Sequence, residues 1–94
     1  MFSKRDLQTL DPQYFEIVIR DAYDIVIISR NTRHIWHLHS SEYPTEEAVV
    51  IFHSHVVNQP YHLHGREKTL KQALRSIKEH DLYQLNGRRP VTEK

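Results

Sequence analysis

The chain has 94 residues, no cysteine, and 13 Lys and Arg against 12 Asp and Glu, for a formal net charge of +1. This length suits one domain with a single modest core. The lack of cysteine excludes a disulfide framework, a zinc ribbon and a thiol nucleophile. No apolar run is long enough to span a membrane or to form the core of a signal peptide. We therefore expect one soluble, cytoplasmic domain over residues 1–94, with flexible termini at 1–10 and 88–94.

The first predicted element is a helix that begins at Asp11-Pro12. Aspartate is a favoured N-cap, and proline fits the first helical position because its missing N–H costs nothing there. The segment 14–19 is also rich in strand-forming residues. An apolar stripe at helical spacing nevertheless favours a helix; it comprises Tyr14, Phe15, Val18, Ile19 and Ala22.

Three strands are predicted next. The β-branched run from Ile25 to Ile28 suits a strand buried on both faces. In residues 34–40, alternation puts the even-numbered side chains on one face and the odd-numbered ones on the other. A loop over residues 40–45 separates this strand from a third, Glu47 to Val57, which ends before Pro60 because proline cannot donate in a ladder.

The last predicted element is a helix that starts after Gly65 and runs to about Leu82 or Leu85. Its core-facing residues recur at helical spacing, and Asn86-Gly87 is a typical stop. They are Leu70, Ala73, Leu74 and Ile77. The order α-β-β-β-α predicts an α+β domain with a three-stranded antiparallel sheet and both helices on one face.

A basic stripe on the last helix suggests an RNA partner. Its members are Lys68, Lys71, Arg75 and Lys78, and Arg66 lies just before them. Cations on one exposed ridge can neutralise successive phosphates and supply sequence-independent affinity. The alternative is that the stripe is only the solvated side of an amphipathic helix, with Glu79 pairing to Arg75 on the surface.

Three segments carry a resemblance to known families. They are Thr32-Arg33-His34-Ile35-Trp36, Val49-Val50-Ile51-Phe52-His53 and Thr69-Leu70-Lys71. In this order and layout the chain resembles the double-stranded-RNA-binding fold and, within it, the small toxin ribonucleases of the HicA type. The resemblance implies an RNA ligand and makes His34 the catalytic candidate. No motif names a reaction by itself, so we expect a binding module rather than an enzyme.

Histidine is the most unusual feature of the sequence. Of its eight histidines, six form three His-x-His pairs, which are His37/His39, His53/His55 and His62/His64. In a strand, residues i and i+2 point to the same side and can chelate one ion, such as zinc or nickel.

Two arrangements of these pairs are open. If His37 faces Val49, then His39 faces Glu47, and His37, His39 and Glu47 form a two-histidine, one-carboxylate site. If the chain folds back after the third strand, His55 opposes His62 and His53 opposes His64, with four imidazoles on one face. The alternative to both is a set of surface imidazoles that bind no metal, or that respond to pH or contact a partner.

The sheet face opposite the helices is a further candidate surface. Alternation puts on it either Ile35, Val49 and Ile51 or Trp36, Val50 and Phe52, and an exposed apolar face of this kind can form a homodimer. Three functions thus remain open from the sequence. RNA binding is the leading one, divalent-metal binding is the second, and the third is an accessory protein that self-associates or binds another protein and catalyses no reaction.

Overall fold

The structure is a computed structural model and describes residues 1–41, 48–56 and 59–87. It is an α+β fold, so the predicted class is confirmed. Its elements, in chain order, are α1 (Lys4–Gln8), β1 (Phe15–Arg20), β2 (Asp24–Ser29), β3 (Ile35–Ser40), β4 (Val49–Ser54), β5 (His62–Glu67) and α2 (Leu70–Leu85). The strands form one antiparallel sheet in the order β1-β2-β3-β4-β5. The predicted three-stranded sheet is therefore wrong by two strands, β1 and β5.

The segment predicted as the first helix is strand β1. Asp11 does not cap a helix: its side chain accepts the N–H of Gln13 at 2.9 Å, and its carbonyl accepts the N–H groups of Tyr14 and Phe15. These bonds close a single turn, after which the chain extends. The β-branched run from Ile17 to Ile19 then pairs with β2, because such side chains fit a pleated surface better than a helix.

Residues 1–10, expected to be a flexible terminus, contain helix α1. A capping box begins it: Ser3 Oγ accepts the N–H of Asp6 at 3.0 Å, and the Asp6 carboxylate accepts the N–H of Ser3 at 2.9 Å. Phe2 and Leu10, on either side of α1, are buried in the core. The other expected flexible terminus, 88–94, lies outside the described residues.

The last helix was predicted correctly and occupies Leu70–Leu85. Thr69 caps its start by accepting the N–H of Gln72 at 3.2 Å, and Gly87 follows its end with φ of 67°, a conformation that glycine adopts without strain. The four predicted core-facing residues are all buried. They pack on the inner face of the sheet, by which we mean the face covered by α2, together with Phe15, Ile25, Ile27, Trp36, Leu38, Val49 and Ile51.

The register of β3 and β4 differs from the predicted one. His37 lies opposite Phe52, not Val49, and His39 lies opposite Val50, not Glu47. The shift is three residues, and an odd shift moves every side chain of one strand to the other face. Glu47 lies outside the described residues, as do 42–45 of the predicted loop.

This register also sets which apolar side chains face outwards. Trp36 pairs with His53 and is buried on the inner face with Val49 and Ile51, so neither predicted outward set is correct. Val50 and Phe52 are half-buried on the opposite face. Likewise β2 is fully buried on one face only, through Ile25 and Ile27. Within the described residues, no helix combines the length and apolar character needed to cross a membrane.

Candidate metal centre

His53 lies at the centre of a histidine cluster on the inner face. It lies on β4, between Trp36 on β3 and His62 on β5, and it pairs with both. Its side chain is buried, with 1 % of the residue exposed. The cluster comprises His34, His53, His55, His62, His64 and His80, whose neighbouring rings lie 4.6–6.2 Å apart between centroids.

Trp36 forms one wall of this cluster. Its ring stacks on the His53 ring at 4.0 Å between centroids and 8° between planes. The indole is itself held in place, because its Nε1 donates to Ser29 Oγ at 3.1 Å. His64 and His80 both meet the Trp36 ring edge-on, at 5.0 and 5.4 Å. A rigid aromatic surface therefore fixes the orientation of the central imidazole.

His53 and His34 are joined by a direct contact between ring nitrogens. His53 Nε2 and His34 Nδ1 lie 3.0 Å apart, so one of them donates to the other. Burial, followed by the neighbouring histidines with His34 first, lowers the pKa of His53 to about 3. Burial and His80 also lower the pKa of His64. His53 is thus neutral at physiological pH, the state in which imidazole binds metal ions.

Two sets of three histidines bring one nitrogen from each ring within 4.8 Å of the others. We call His34, His53 and His80 the inner triad and His53, His55 and His62 the outer triad. Both triads share His53. In the inner triad His34 and His80 are half-buried, whereas His55 and His62 of the outer triad are exposed.

The nitrogens of each triad lie within 4.8 Å of one another, which is up to about 1.5 Å more than the spacing between the ligands of a bound metal ion. Imidazole nitrogens bound to zinc at 2.0–2.1 Å in a tetrahedron lie about 3.3 Å from one another. The contact between His34 and His53, at 3.0 Å, is already close to that separation. Small side-chain movements would bring either triad to ligand distance.

His80 was missing from the sequence predictions, although the signal was present. It follows Ile77 by three residues, on the core-facing stripe of α2. Histidine so placed faces the core. The helical spacing and the three His-x-His pairs had to be considered together to identify it.

A buried hydrogen-bond network fixes the turn of α2 that carries His80. Asp81, fully buried, accepts from Tyr14 Oη at 2.7 Å and from Thr32 Oγ1 at 3.0 Å. Thr32 Oγ1 also accepts the N–H of His34 at 3.3 Å. Burial, then the bond to Asp81, raises the pKa of Tyr14 to about 12. The network ties together the two segments that supply His34 and His80.

The predicted pair His37/His39 lies outside the cluster, on the opposite face of the sheet. Its carboxylate partner is Asp24 of β2, whose Oδ1 accepts from His37 Nε2 at 2.8 Å and from His39 Nδ1 at 2.9 Å. These bonds, that from His39 first, lower the pKa of Asp24. The pair is thus hydrogen-bonded to a carboxylate and belongs to neither triad.

The predicted basic residues are all exposed. Arg66 pairs with Val50 in the sheet and so lies on the face opposite α2. On α2, Arg75 Nε lies 3.5 Å from Glu79 Oε1, in an ion pair on the surface. The Arg75 side chain is 82 % exposed and that of Glu79 is 69 % exposed. Lys78 Nζ lies 5.0 Å from the centroid of the Tyr14 ring. Lys71, Arg75 and Lys78 line one groove, and its other lining residues are Thr9, Gln72, Leu74, Glu79 and Leu82.

No family model matches the chain, and no curated protein or solved structure is significantly similar to it. The site itself is therefore the basis for a functional proposal.

Proposed function

We propose that this protein binds a divalent transition-metal ion through the histidine cluster centred on His53. The observation that carries the proposal is that each of the two triads brings three imidazole nitrogens within 4.8 Å of one another. The five histidines of the two triads come from β3, β4, β5 and α2 or their ends, so the folded sheet and helix hold them in place. Three histidines on a rigid scaffold form a common zinc site.

The donor set selects the kind of ion. Both triads consist of imidazole nitrogens alone. Imidazole suits zinc, copper and nickel, whereas magnesium and calcium need oxygen ligands. We expect affinity to rise from Ni²⁺ to Cu²⁺ and to fall again at Zn²⁺, in the usual order for nitrogen sites.

Trp36 provides a direct test. It is the single tryptophan of the chain, and its ring stacks on His53. Cu²⁺ and Ni²⁺ have partly filled d shells and quench a nearby indole. Titration with either ion should therefore quench the tryptophan fluorescence to a plateau, and a chelator should restore it. Zn²⁺, which has a filled d shell, should compete without quenching.

Mg²⁺ is the control ion for that titration and should leave the fluorescence unchanged. Quenching that rises without a plateau, or that Zn²⁺ does not reduce, would indicate collisional quenching and count against the proposed site.

RNA binding by α2 is the second candidate, and the exposed groove lined by Lys71, Arg75 and Lys78 favours it. Phosphate contacts of this kind weaken as salt rises. We expect RNA to bind in dilute buffer and to dissociate between about 50 and about 200 mM salt. The double variant Lys71→Glu/Arg75→Glu should not bind, as measured by fluorescence anisotropy.

Arg5→Glu/Arg20→Glu is the matched control, since it changes the net charge by the same amount and both arginines are exposed and lie outside that groove. Binding that is insensitive to salt, or equal in the two variants, would refute the RNA candidate. RNA cleavage by His34 remains a prediction of the resemblance, which expects His34→Ala to abolish it.

A further inference from the structure

The two triads differ in how far solvent reaches them. His55 and His62 are exposed near one edge of the sheet, while the shared ligand His53 is 1 % exposed. An ion arriving from solvent therefore meets the exposed rings before it meets the inner triad.

The shared ligand couples the two triads. Since each needs a nitrogen of His53, occupation of one changes what is available to the other. The rings also lie side by side: His55 is 4.6 Å from both His34 and His53 between centroids. An ion can thus exchange one imidazole for another over a short path.

The inner triad is the better place for a bound ion to stay. Its rings are half-buried or buried. His53 and His80 lie against Trp36, and the hydrogen bonds of Asp81 and Thr32 tie the segments of His34 and His80 together. Excluding water removes the main competing ligand, and rings held in place need less reorganisation on binding.

Building on the proposed metal binding, we propose that the outer triad captures a Zn²⁺-like ion and passes it to the inner triad. His53 remains a ligand throughout. The bonds from the ion to His55 and His62 break as bonds to His34 and His80 form. The ion keeps its oxidation state, and the proton shared between His53 Nε2 and His34 Nδ1 moves through water to the other nitrogen of its ring.

The two triads should therefore affect different constants: the outer triad the rates of binding and release, and the inner triad the Kd. A capture site speeds both arrival and departure, so its loss slows both and leaves the equilibrium nearly unchanged. Loss of a ligand from the resident site weakens binding mainly by speeding release.

Stopped-flow mixing of the full chain with excess Ni²⁺, followed by Trp36 fluorescence, tests the proposal. In His55→Ala/His62→Ala, the association rate constant should fall about tenfold or more, with Kd changed less than about threefold. In His80→Ala, Kd should rise about tenfold or more at a nearly unchanged association rate. His39→Ala, on the other face, should change neither.

The outcomes separate this proposal from the one it rests on. If the wild-type chain shows no saturable quenching, metal binding itself fails, and the transfer fails with it. If the wild type binds Ni²⁺ but the outer variant loses affinity like His80→Ala, or keeps its association rate, the transfer is wrong and metal binding stands. Circular dichroism checks folding, and His80→Leu replaces His80→Ala if the alanine variant does not fold.

Discussion

Replacing His53 by phenylalanine should lower the affinity for Zn²⁺ and Ni²⁺ by about 100-fold or more, since removing even a supporting residue of a metal site costs up to that much. His53 is the ligand common to both triads, so its loss leaves neither with three nitrogens. Phenylalanine keeps a ring against Trp36, where the imidazole stacks at 4.0 Å, and removes both nitrogens. Isothermal titration calorimetry measures the change.

The matched control is His39→Phe. It makes the same substitution in a neighbouring strand, at a histidine that belongs to neither triad and is bonded to Asp24. The affinity of this variant for both ions should stay within about threefold of the wild type. Substitutions weaken a metal site mainly at its ligands and at the residues that hydrogen-bond to those ligands. Equal losses in the two variants would show that the cluster is not the site.

Acid should destabilise the metal-free protein through His53. The unfolded chain protonates this histidine near its ordinary pKa of 6.5, whereas the folded chain does so only at about 3. The unfolded state therefore binds more protons between these values. As far as His53 is concerned, the free energy of unfolding is highest above pH 6.5 and falls as the pH falls. We expect His53 to contribute a slope of up to about 1.4 kcal/mol per pH unit in that window.

Urea denaturation in the presence of a chelator, from pH 7 to pH 4.5, measures this slope. The lower limit keeps most carboxylates ionised. His64, whose pKa is also lowered, adds to the slope in the wild type, so the informative quantity is the difference from His53→Phe. Between pH 7 and pH 4.5, the free energy of unfolding should fall by less in this variant than in the wild type. Parallel curves for the two chains would mean that His53 is not kept neutral by the fold.

The sequence was informative where one local pattern dominates. The stripe of Leu70, Ala73, Leu74 and Ile77 has one period and a clear stop, and α2 forms as predicted. In β1 two signals competed, because a helix-like start at Asp11-Pro12 precedes β-branched residues. Pairing with β2 decided the outcome in favour of a strand, and such tertiary pairing cannot be seen in a local window.

The candidate site depended on strand register, which the sequence constrains weakly. The β3–β4 register differed from the expected one by three residues, an odd number, and this placed His37 and His39 away from the other pairs. For β4 and β5 the expected opposition of His55 and His62 became that of His53 and His62. That shift is even, so His62 stays on the face of His53. The register changes at His64, which pairs with no described residue of β4 but lies against Trp36 on the same face.

The most direct measurement of the central claim is equilibrium dialysis of the wild-type chain against micromolar Zn²⁺ or Ni²⁺, followed by elemental analysis. Because the two triads share His53, we expect close to one ion per chain. A stoichiometry well below one would contradict metal binding by the histidine cluster.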